Sequence, residues 1–124
     1  AAEFFLSAGR ADIAEAEYAF ALEGDPRNVH YFNQLGMTFR RQKKYSEALA
    51  NYKKALQVSP NDTVIYFNMA LAFIGLRNYP GAAATLQKAL MININFKEAE
   101  NLLKKVQKEI KKQGANGNGH TNGH

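Results

Sequence analysis

The feature that most constrains this chain is a pattern of apolar and small residues that recurs every 34 residues. Aromatic, alanine and leucine positions all follow it: Phe5, Phe39 and Phe73; Ala14, Ala48 and Ala82; Ala16, Ala50 and Ala84; Ala21, Ala55 and Ala89; Leu22, Leu56 and Leu90. So many matches at one fixed spacing indicate an internal repeat, in which each copy is one supersecondary unit. The chain is therefore predicted to consist of stacked copies of a single unit.

The copy from residue 29 to residue 62 is complete and predicts the structure of that unit. Its apolar residues lie three or four apart within each half, which is the period of one helical face. A polar segment at 42–45 separates the halves, so the copy is predicted to be a helical hairpin. The small residues Gly36 and Ala48 are predicted to let the two helix backbones approach closely.

The same copy carries a characteristic set of residues: Phe32, Leu35, Gly36 and Phe39, followed by Ala48, Tyr52, Ala55 and Pro60. With these residues at these offsets, the sequence resembles the tetratricopeptide repeat (TPR) family over roughly residues 1–113. The resemblance implies an all-α fold, an α-solenoid of stacked helical hairpins with about two and a half repeats and a C-terminal capping helix. It also implies a protein-interaction module, but packing residues such as these identify no partner.

The repeat register divides the chain into segments. Residues 1–28 form a partial repeat with Phe5 inside its first helix, which predicts that the chain is excised from a longer protein. Residues 29–62 and 63–96 are the two repeats that follow. Asparagine and aspartate favour helix N-caps, so Asn28, and then Asp62 or Thr63, are predicted to cap the first helices of these repeats.

The C-terminal part is predicted to be a capping helix at 97–113 and a disordered tail at 114–124. The capping helix carries one apolar stripe at helical spacing: Phe96, Ala99, Leu103, Val106 and Ile110. Its other faces are rich in lysine and glutamate, as expected of a helix that covers the end of a stack. Glycine and asparagine dominate the tail and give it no reason to fold.

Composition excludes several kinds of site. The chain has no cysteine, so it has no disulfide and no thiolate metal site. His120 and His124 have the spacing of a helical metal pair, but the tail's composition does not favour a helix there, and no metal site is predicted. No nucleophile elbow, phosphate-binding glycine loop or zinc-helix motif is present, so the chain is predicted not to be an enzyme and to need no cofactor.

Charge is uneven along the chain. Residues 1–28 hold six acidic and two basic side chains, whereas residues 29–96 hold two acidic and eight basic ones. Such a gradient steers an acidic partner, or another copy of the chain, toward the basic part. No apolar run is as long as a membrane span, and no leader pattern opens the sequence, which predicts a cytoplasmic protein with no membrane partner.

In a stack of hairpins, the first helix of each repeat lines the concave side. The predicted binding groove therefore combines residues of two such helices: Asn33, Gln34, Met37, Arg40, Arg41, Val64, Phe67, Asn68 and Leu71. Phe67 and Leu71 are large and apolar at positions outside the repeat pattern, so they are predicted to hold apolar side chains of a peptide or helix. The alternative is that both residues pack against the neighbouring hairpin. Arg40 and Arg41 favour a partner with an acidic flank.

Members of the family that bind the acidic C-terminal tails of heat-shock chaperones share a two-carboxylate clamp of lysine, asparagine and arginine. The matching places on three successive first helices here hold Asn33, Met37, Asn68, Glu98 and Leu102. Only Asn68 fits the clamp, so the resemblance disfavours capture of a chaperone tail. It leaves Asn68 as a residue that binds a peptide backbone.

Two other functions compete with peptide binding. The charge gradient and the partial first repeat are compatible with copies of the chain stacking head to tail into a homo-oligomer. A basic patch is compatible with nucleic-acid binding: Arg40, Arg41, Lys43, Lys44, Lys53 and Lys54. Its aromatic neighbours are mostly predicted core residues, so few rings remain for bases to stack on, and this function is disfavoured.

Overall fold

The computed structural model describes residues 10–122, with side chains described as far as Gly114. The described part is built from helices alone: α1 (Ala11–Gly24), α2 (Val29–Arg41), α3 (Tyr45–Val58), α4 (Thr63–Gly75), α5 (Tyr79–Ile92) and α6 (Lys97–Asn122). The predicted first helix around Phe5 lies outside the described residues. None of the helices in residues 10–122 is both long enough and apolar enough to cross a membrane.

Consecutive helices pack against each other along the whole described chain. Helices α2 and α3 form one hairpin, and α4 and α5 form the next, at the boundaries that the repeat register predicts. Each hairpin also packs on its neighbours, through α1 with α2, α3 with α4, and α5 with α6. The predicted all-α solenoid is confirmed.

The core consists of the residues that recur with the repeat. Ala48, Tyr52 and Ala55 are fully buried between the two complete hairpins, and Ala82, Leu86 and Ala89 occupy the same positions one repeat later. The predicted stripe of α6 packs against the last hairpin and forms one cluster with Leu86: Phe96, Ala99, Leu103, Val106 and Ile110. The helix therefore covers the end of the stack as expected.

Side chains cap the N-terminal ends of α2, α4 and α5. The Oδ1 atom of Asn28 accepts a hydrogen bond from the backbone N–H of Tyr31 at 3.0 Å. Asp62 accepts from Val64 and Ile65, so Asp62 rather than Thr63 is the cap of α4. Asn78 caps α5 through the N–H of Gly81, and Pro80 lies in the first turn, where its missing N–H costs no hydrogen bond.

The turn inside each hairpin uses a non-glycine residue in the left-handed region. Lys43 has φ 63°, and Arg77, which lies 34 residues later, has φ 58°. In both turns the next residue donates its N–H back to the helix: Lys44 to the Phe39 carbonyl at 2.9 Å and Asn78 to the Phe73 carbonyl at 2.8 Å. This is the hydrogen-bond pattern of a helix end at which glycine is the usual residue. The hairpin turns therefore carry backbone strain at Lys43 and Arg77.

Lys43→Gly is expected to stabilise the protein by about 0.5–1 kcal/mol, because glycine adopts this conformation without the steric cost of a Cβ atom. The midpoint of urea unfolding should rise accordingly. Lys54→Gly is the matched control: Lys54 is exposed in the interior of α3, where glycine should cost about 1 kcal/mol relative to alanine. A lower midpoint for Lys43→Gly would contradict the assignment of strain to this turn.

The C-terminal helix is longer than the sequence predicts. The prediction ends it at residue 113 and leaves 114–124 disordered, whereas α6 continues to Asn122. Extending an existing helix adds one backbone hydrogen bond for each residue ordered, without the cost of a new nucleus. The glycine and asparagine residues that begin at Gly114 are therefore not sufficient to end the helix. His120 falls within this extension, but the side chains of the predicted histidine pair lie outside the described ones.

Candidate functional site

The predicted groove residues lie on α2 and α4, the first helices of the two complete repeats, which are in contact with each other. Helical periodicity separates these residues from the core, since Leu35, Gly36 and Thr38 are the buried residues of α2. Asn33, Gln34, Met37 and Arg40 are half-buried, and Arg41 is exposed. The two helices thus bring polar residues at the surface next to a shared core.

A hydrogen bond between two asparagines joins α2 to α4. The Nδ2 atom of Asn68 donates to the Oδ1 atom of Asn33 at 2.9 Å, and only 8% of Asn68 is exposed. In the described part of the chain, the Nδ2 of Asn33 and the Oδ1 of Asn68 bond no other group. The pair therefore leaves the NH2 group of Asn33 and the carbonyl oxygen of Asn68 unbonded, which match the carbonyl and N–H that a peptide backbone presents.

Arg40 lies near the end of α2 with part of its guanidinium withdrawn from water. Its Nε atom is buried and has no hydrogen-bond partner among the described residues, and the same is true of the hydroxyl of Tyr52. Burial raises the pKa of Tyr52, while the guanidinium of Arg40 beside it, and more weakly that of Arg41, acts to lower this pKa. Arg40 as a whole is only half-buried, so the accessible part of its guanidinium offers charge-assisted hydrogen bonds to an incoming carboxylate.

The apolar candidates on α4 have different surroundings. Val64 is 53% exposed, and Leu71 is half-buried and belongs to none of the core clusters of the described chain. Phe67 packs toward the C-terminal helix, and its ring lies 5.5 Å from that of Phe96, centroid to centroid. Phe67 is thus half-buried and packs against a neighbouring part of the fold, as the alternative to peptide binding predicted. Leu71 is also half-buried, but it packs in none of the described core clusters.

One residue of this surface was missed by the sequence interpretation. Phe96 precedes α6 and was assigned only to the capping stripe, yet its ring meets Phe67. The 34-residue register contained the signal, since it places residue 96 one repeat after Asp62, at the entry to the next first helix. The apolar surface at α4 therefore continues onto the segment that leads into α6.

A second concavity, also missed, lies where α3, α4 and α5 meet. This outer cleft has a volume of about 570 Å³, a floor of Leu56, Tyr66, Met69 and Phe73, and Lys53 and Lys88 among its other lining residues. The sequence interpretation assigned Tyr66, Met69 and Phe73 to the core and did not predict that their edges remain accessible. None of the predicted groove residues lines this cleft, although both surfaces use α4.

Part of the predicted basic patch is engaged within the fold. The Nζ atom of Lys44 lies 3.8 Å from Glu15 of α1 and 5.8 Å from the ring centroid of Phe39. Gln42 donates to the same carboxylate at 3.0 Å. Lys44 and Gln42 thus tie α1 to the turn of the next hairpin, and Lys44 is less available to a nucleic acid than its sequence position suggests.

Within residues 10–122, no three His, Asp or Glu side chains that the structure describes lie close enough together to hold a metal ion. The arrangement that the described residues do form is a surface of amides, a half-buried guanidinium and apolar side chains. Such a surface is suited to binding another molecule by contact.

The comparisons with known proteins agree with this geometry. The family described as "TPR repeat" matches residues 36–76. No curated protein matches the sequence.

Solved structures of TPR domains superpose closely on the chain. The first TPR domain of human RPAP3, solved by NMR, has a TM-score of 0.85 at 21% identity and covers 92% of this chain and 90% of its own. The first TPR of Spaghetti (RPAP3), bound to the HSP90 peptide SRMEEVD, has a TM-score of 0.82 at 22% identity and covers 88% and 86%. The second TPR domain of human RPAP3, in complex with the HSP70 peptide SGPTIEEVD, has a TM-score of 0.79 at 19% identity and covers 86% and 88%.

At these identities the structural similarity establishes the fold, and the match at residues 36–76 supplies the family signature within it. The repeat period, the hairpins and the packing residues of the chain all agree with both. Residues 36–76 of the chain match the tetratricopeptide repeat family, and the chain has the fold of an α-helical repeat solenoid, which it shares with solved TPR domains.

Proposed function

We propose that this module binds a peptide segment of a partner protein along α2 and α4, with an acidic flank of the peptide at Arg40 and Arg41. The observation that carries the proposal is the Asn33–Asn68 pair, which leaves the NH2 group of one amide and the carbonyl oxygen of the other unbonded at the junction of the two helices. Peptide groups require one acceptor and one donor, so this pair recognises a backbone rather than a particular side chain.

The other groove residues set the preferred sequence of the peptide. Leu71 and the exposed Val64 offer apolar contact, with Met37 and Gln34 on the neighbouring helix. Arg40 adds a preference for a carboxylate, because its cationic side chain is only half-buried and lies on the same helix as Asn33. Charge-assisted hydrogen bonds to such a group are stronger than neutral ones. The ligand class is therefore a peptide with apolar residues next to Asp or Glu.

The partner is not proposed to be a chaperone tail of the kind that the two RPAP3 domains hold in their structures. Of the clamp positions, only Asn68 fits, and its Nδ2 is already bonded to Asn33. The corresponding place on the C-terminal helix holds Glu98, whose exposed carboxylate would repel the peptide's acids. A different acidic segment, reaching the guanidinium of Arg40, suits this chain better.

Arg40→Ala is expected to weaken binding by about 1.5–3 kcal/mol and to flatten its salt dependence, because a charged hydrogen bond is lost. Peptides selected from a random library on the wild-type chain provide the ligands, and calorimetry at two salt concentrations provides the affinities. Lys54→Ala is the matched control, since it removes an exposed cation from the second helix α3. Selected peptides without acidic residues, or equal effects of the two variants, would contradict the proposal.

A test of Phe67 must measure stability as well as peptide affinity. Phe67→Ala is expected to cost about 2 kcal/mol of affinity if its ring anchors the peptide. The same ring contacts Phe96, so the thermal midpoint of the variant must be measured alongside the affinity. A lower midpoint with unchanged affinity would assign Phe67 to packing alone, whereas the Asn33–Asn68 site would be unaffected by that outcome.

A further inference from the structure

Phe20 is an exposed aromatic residue on α1, at a repeat position that holds lysine in the two following repeats. Phe20 is 76% exposed, and the 34-residue register places it at the position of Lys54 and Lys88 in the following repeats. Both lysines are exposed, so the fold requires no apolar residue at this position. Tyr18, two residues earlier, supplies the buried aromatic of α1. Packing within the chain therefore does not account for Phe20.

Small and acidic neighbours surround Phe20 on the helix surface, so that its ring projects from α1; Phe20 with Glu17 and Glu23 is called the knob. Residues three and four apart lie side by side on a helix. Ala16 and Gly24, four residues away on either side, are small and leave the ring accessible. Glu17 and Glu23, three residues away, are both exposed carboxylates. Six residues of helix separate these two acids by about 9 Å along the axis, with the ring between them.

The outer cleft is complementary to this knob in chemistry. Its floor of Leu56, Tyr66, Met69 and Phe73 is apolar, and its lining contains two lysines and no acidic residue. Lys53 comes from α3 and Lys88 from α5, so the cations stand on two different helices that border the cleft. Lys88 lies 5.7 Å from the ring centroid of Tyr66. An aromatic side chain with a carboxylate on each side matches an apolar floor with a cation on each bordering helix.

We propose that Phe20 of one copy inserts into the outer cleft of a second copy, with Glu17 and Glu23 pairing with Lys53 and Lys88. The two surfaces cannot meet within one chain, because α1 is held against α2. Knob and cleft are different surfaces, so the contact is heterologous and joins copies head to tail. The opposite charges of residues 1–28 and 29–96 favour the same encounter at longer range.

This contact goes beyond peptide binding and does not use the groove. Both surfaces use α4, but they use different residues of it: the cleft is lined by Tyr66, Met69 and Phe73, and no groove residue lines it. Self-association and peptide binding therefore fail independently, and a variant that loses one should retain the other.

Sedimentation velocity over a wide concentration range tests the contact with the full 124-residue chain. The wild type is expected to associate reversibly, and more weakly as salt rises. Phe20→Ala should weaken self-association about thirtyfold, as expected for loss of a buried anchor, while its thermal midpoint and peptide affinity stay unchanged. Met91→Ala is the control: Met91 is 86% exposed and lies outside both surfaces.

Charge reversal identifies the two surfaces. Glu17→Lys/Glu23→Lys and Lys53→Glu/Lys88→Glu should each be monomeric at concentrations where the wild type associates. Mixing them should restore head-to-tail assembly with the two variants alternating. The lysines of the first variant's knob then meet the glutamates of the second variant's cleft, and the unchanged knob of the second variant meets the unchanged cleft of the first. A monomeric wild type, association unchanged by Phe20→Ala, or loss of association in Met91→Ala would overturn the proposal.

Discussion

Deleting residues 96–124 is expected to unfold the last hairpin and to cause aggregation, the largest effect foreseen for any change in this chain. The deletion removes Phe96, Ala99, Leu103 and Val106 from a cluster that includes the fully buried Leu86. A large apolar side chain stabilises by about 1.5–3 kcal/mol when fully buried, and several are affected at once. Their sum approaches the whole stability of a small domain, about 5–15 kcal/mol.

Circular dichroism and light scattering of the shortened chain measure this effect. The control is a chain that lacks only residues 114–124, which keeps the stripe through Ile110 and should retain the wild-type thermal midpoint. Although α6 extends to Asn122, the packing that stabilises it against the last hairpin lies before Gly114. Equal damage from the short and the long deletion would contradict this account of the cap.

Gly36→Ala is expected to destabilise the protein by about 1–3 kcal/mol, even though alanine is the better helix former. A Cβ atom at residue 36 would overlap the ring of Tyr52 and lie 2.9 Å from its Cζ atom. Tyr52 is fully buried in a core cluster, so its ring cannot relieve the overlap by turning out into solvent. The close approach predicted for Gly36 is therefore made by an aromatic ring of the facing helix, and Ala48 is buried nearby in the same hairpin.

The next repeat supplies the compensating change. One period after Gly36 and Tyr52, the chain has Ala70 and Leu86, and both are fully buried. The double variant Gly36→Ala/Tyr52→Leu copies that pair and should recover most of the stability lost in Gly36→Ala. Urea unfolding of both single variants and of the double variant gives the coupling energy. Additive losses would mean that the two positions do not share one packing site.

Much of the fold could be predicted because the repeat places each packing residue several times. Ala14, Ala48 and Ala82 are each fully buried, and Tyr18, Tyr52 and Leu86 fill one position in successive hairpins. A period of 34 residues with helical spacing inside it specifies helices, turns and stacking order together. The capping stripe from Phe96 to Ile110 followed from the same reasoning, since an uncovered hairpin needs a helix with one apolar side.

The candidate site was predictable only as a set of residues. Periodicity assigns Asn33 and Asn68 to the surfaces of their own helices, but the 2.9 Å bond between them depends on how α2 and α4 stack. The sequence left two environments open for Phe67, and only the tertiary structure shows that its ring meets that of Phe96.

The outer cleft also separates what the sequence predicts from what the packing of the helices decides. Tyr66, Met69 and Phe73 have core spacing, and they do pack in the core, yet α3 and α5 leave part of each accessible. Spacing along a helix determines which face a residue occupies, whereas the separation between neighbouring helices determines whether that face is fully covered. The sequence by itself determined the helices, their order and their buried faces. Only the tertiary structure decided which side chains from different repeats meet, because those contacts depend on distances between helices that no single helix encodes.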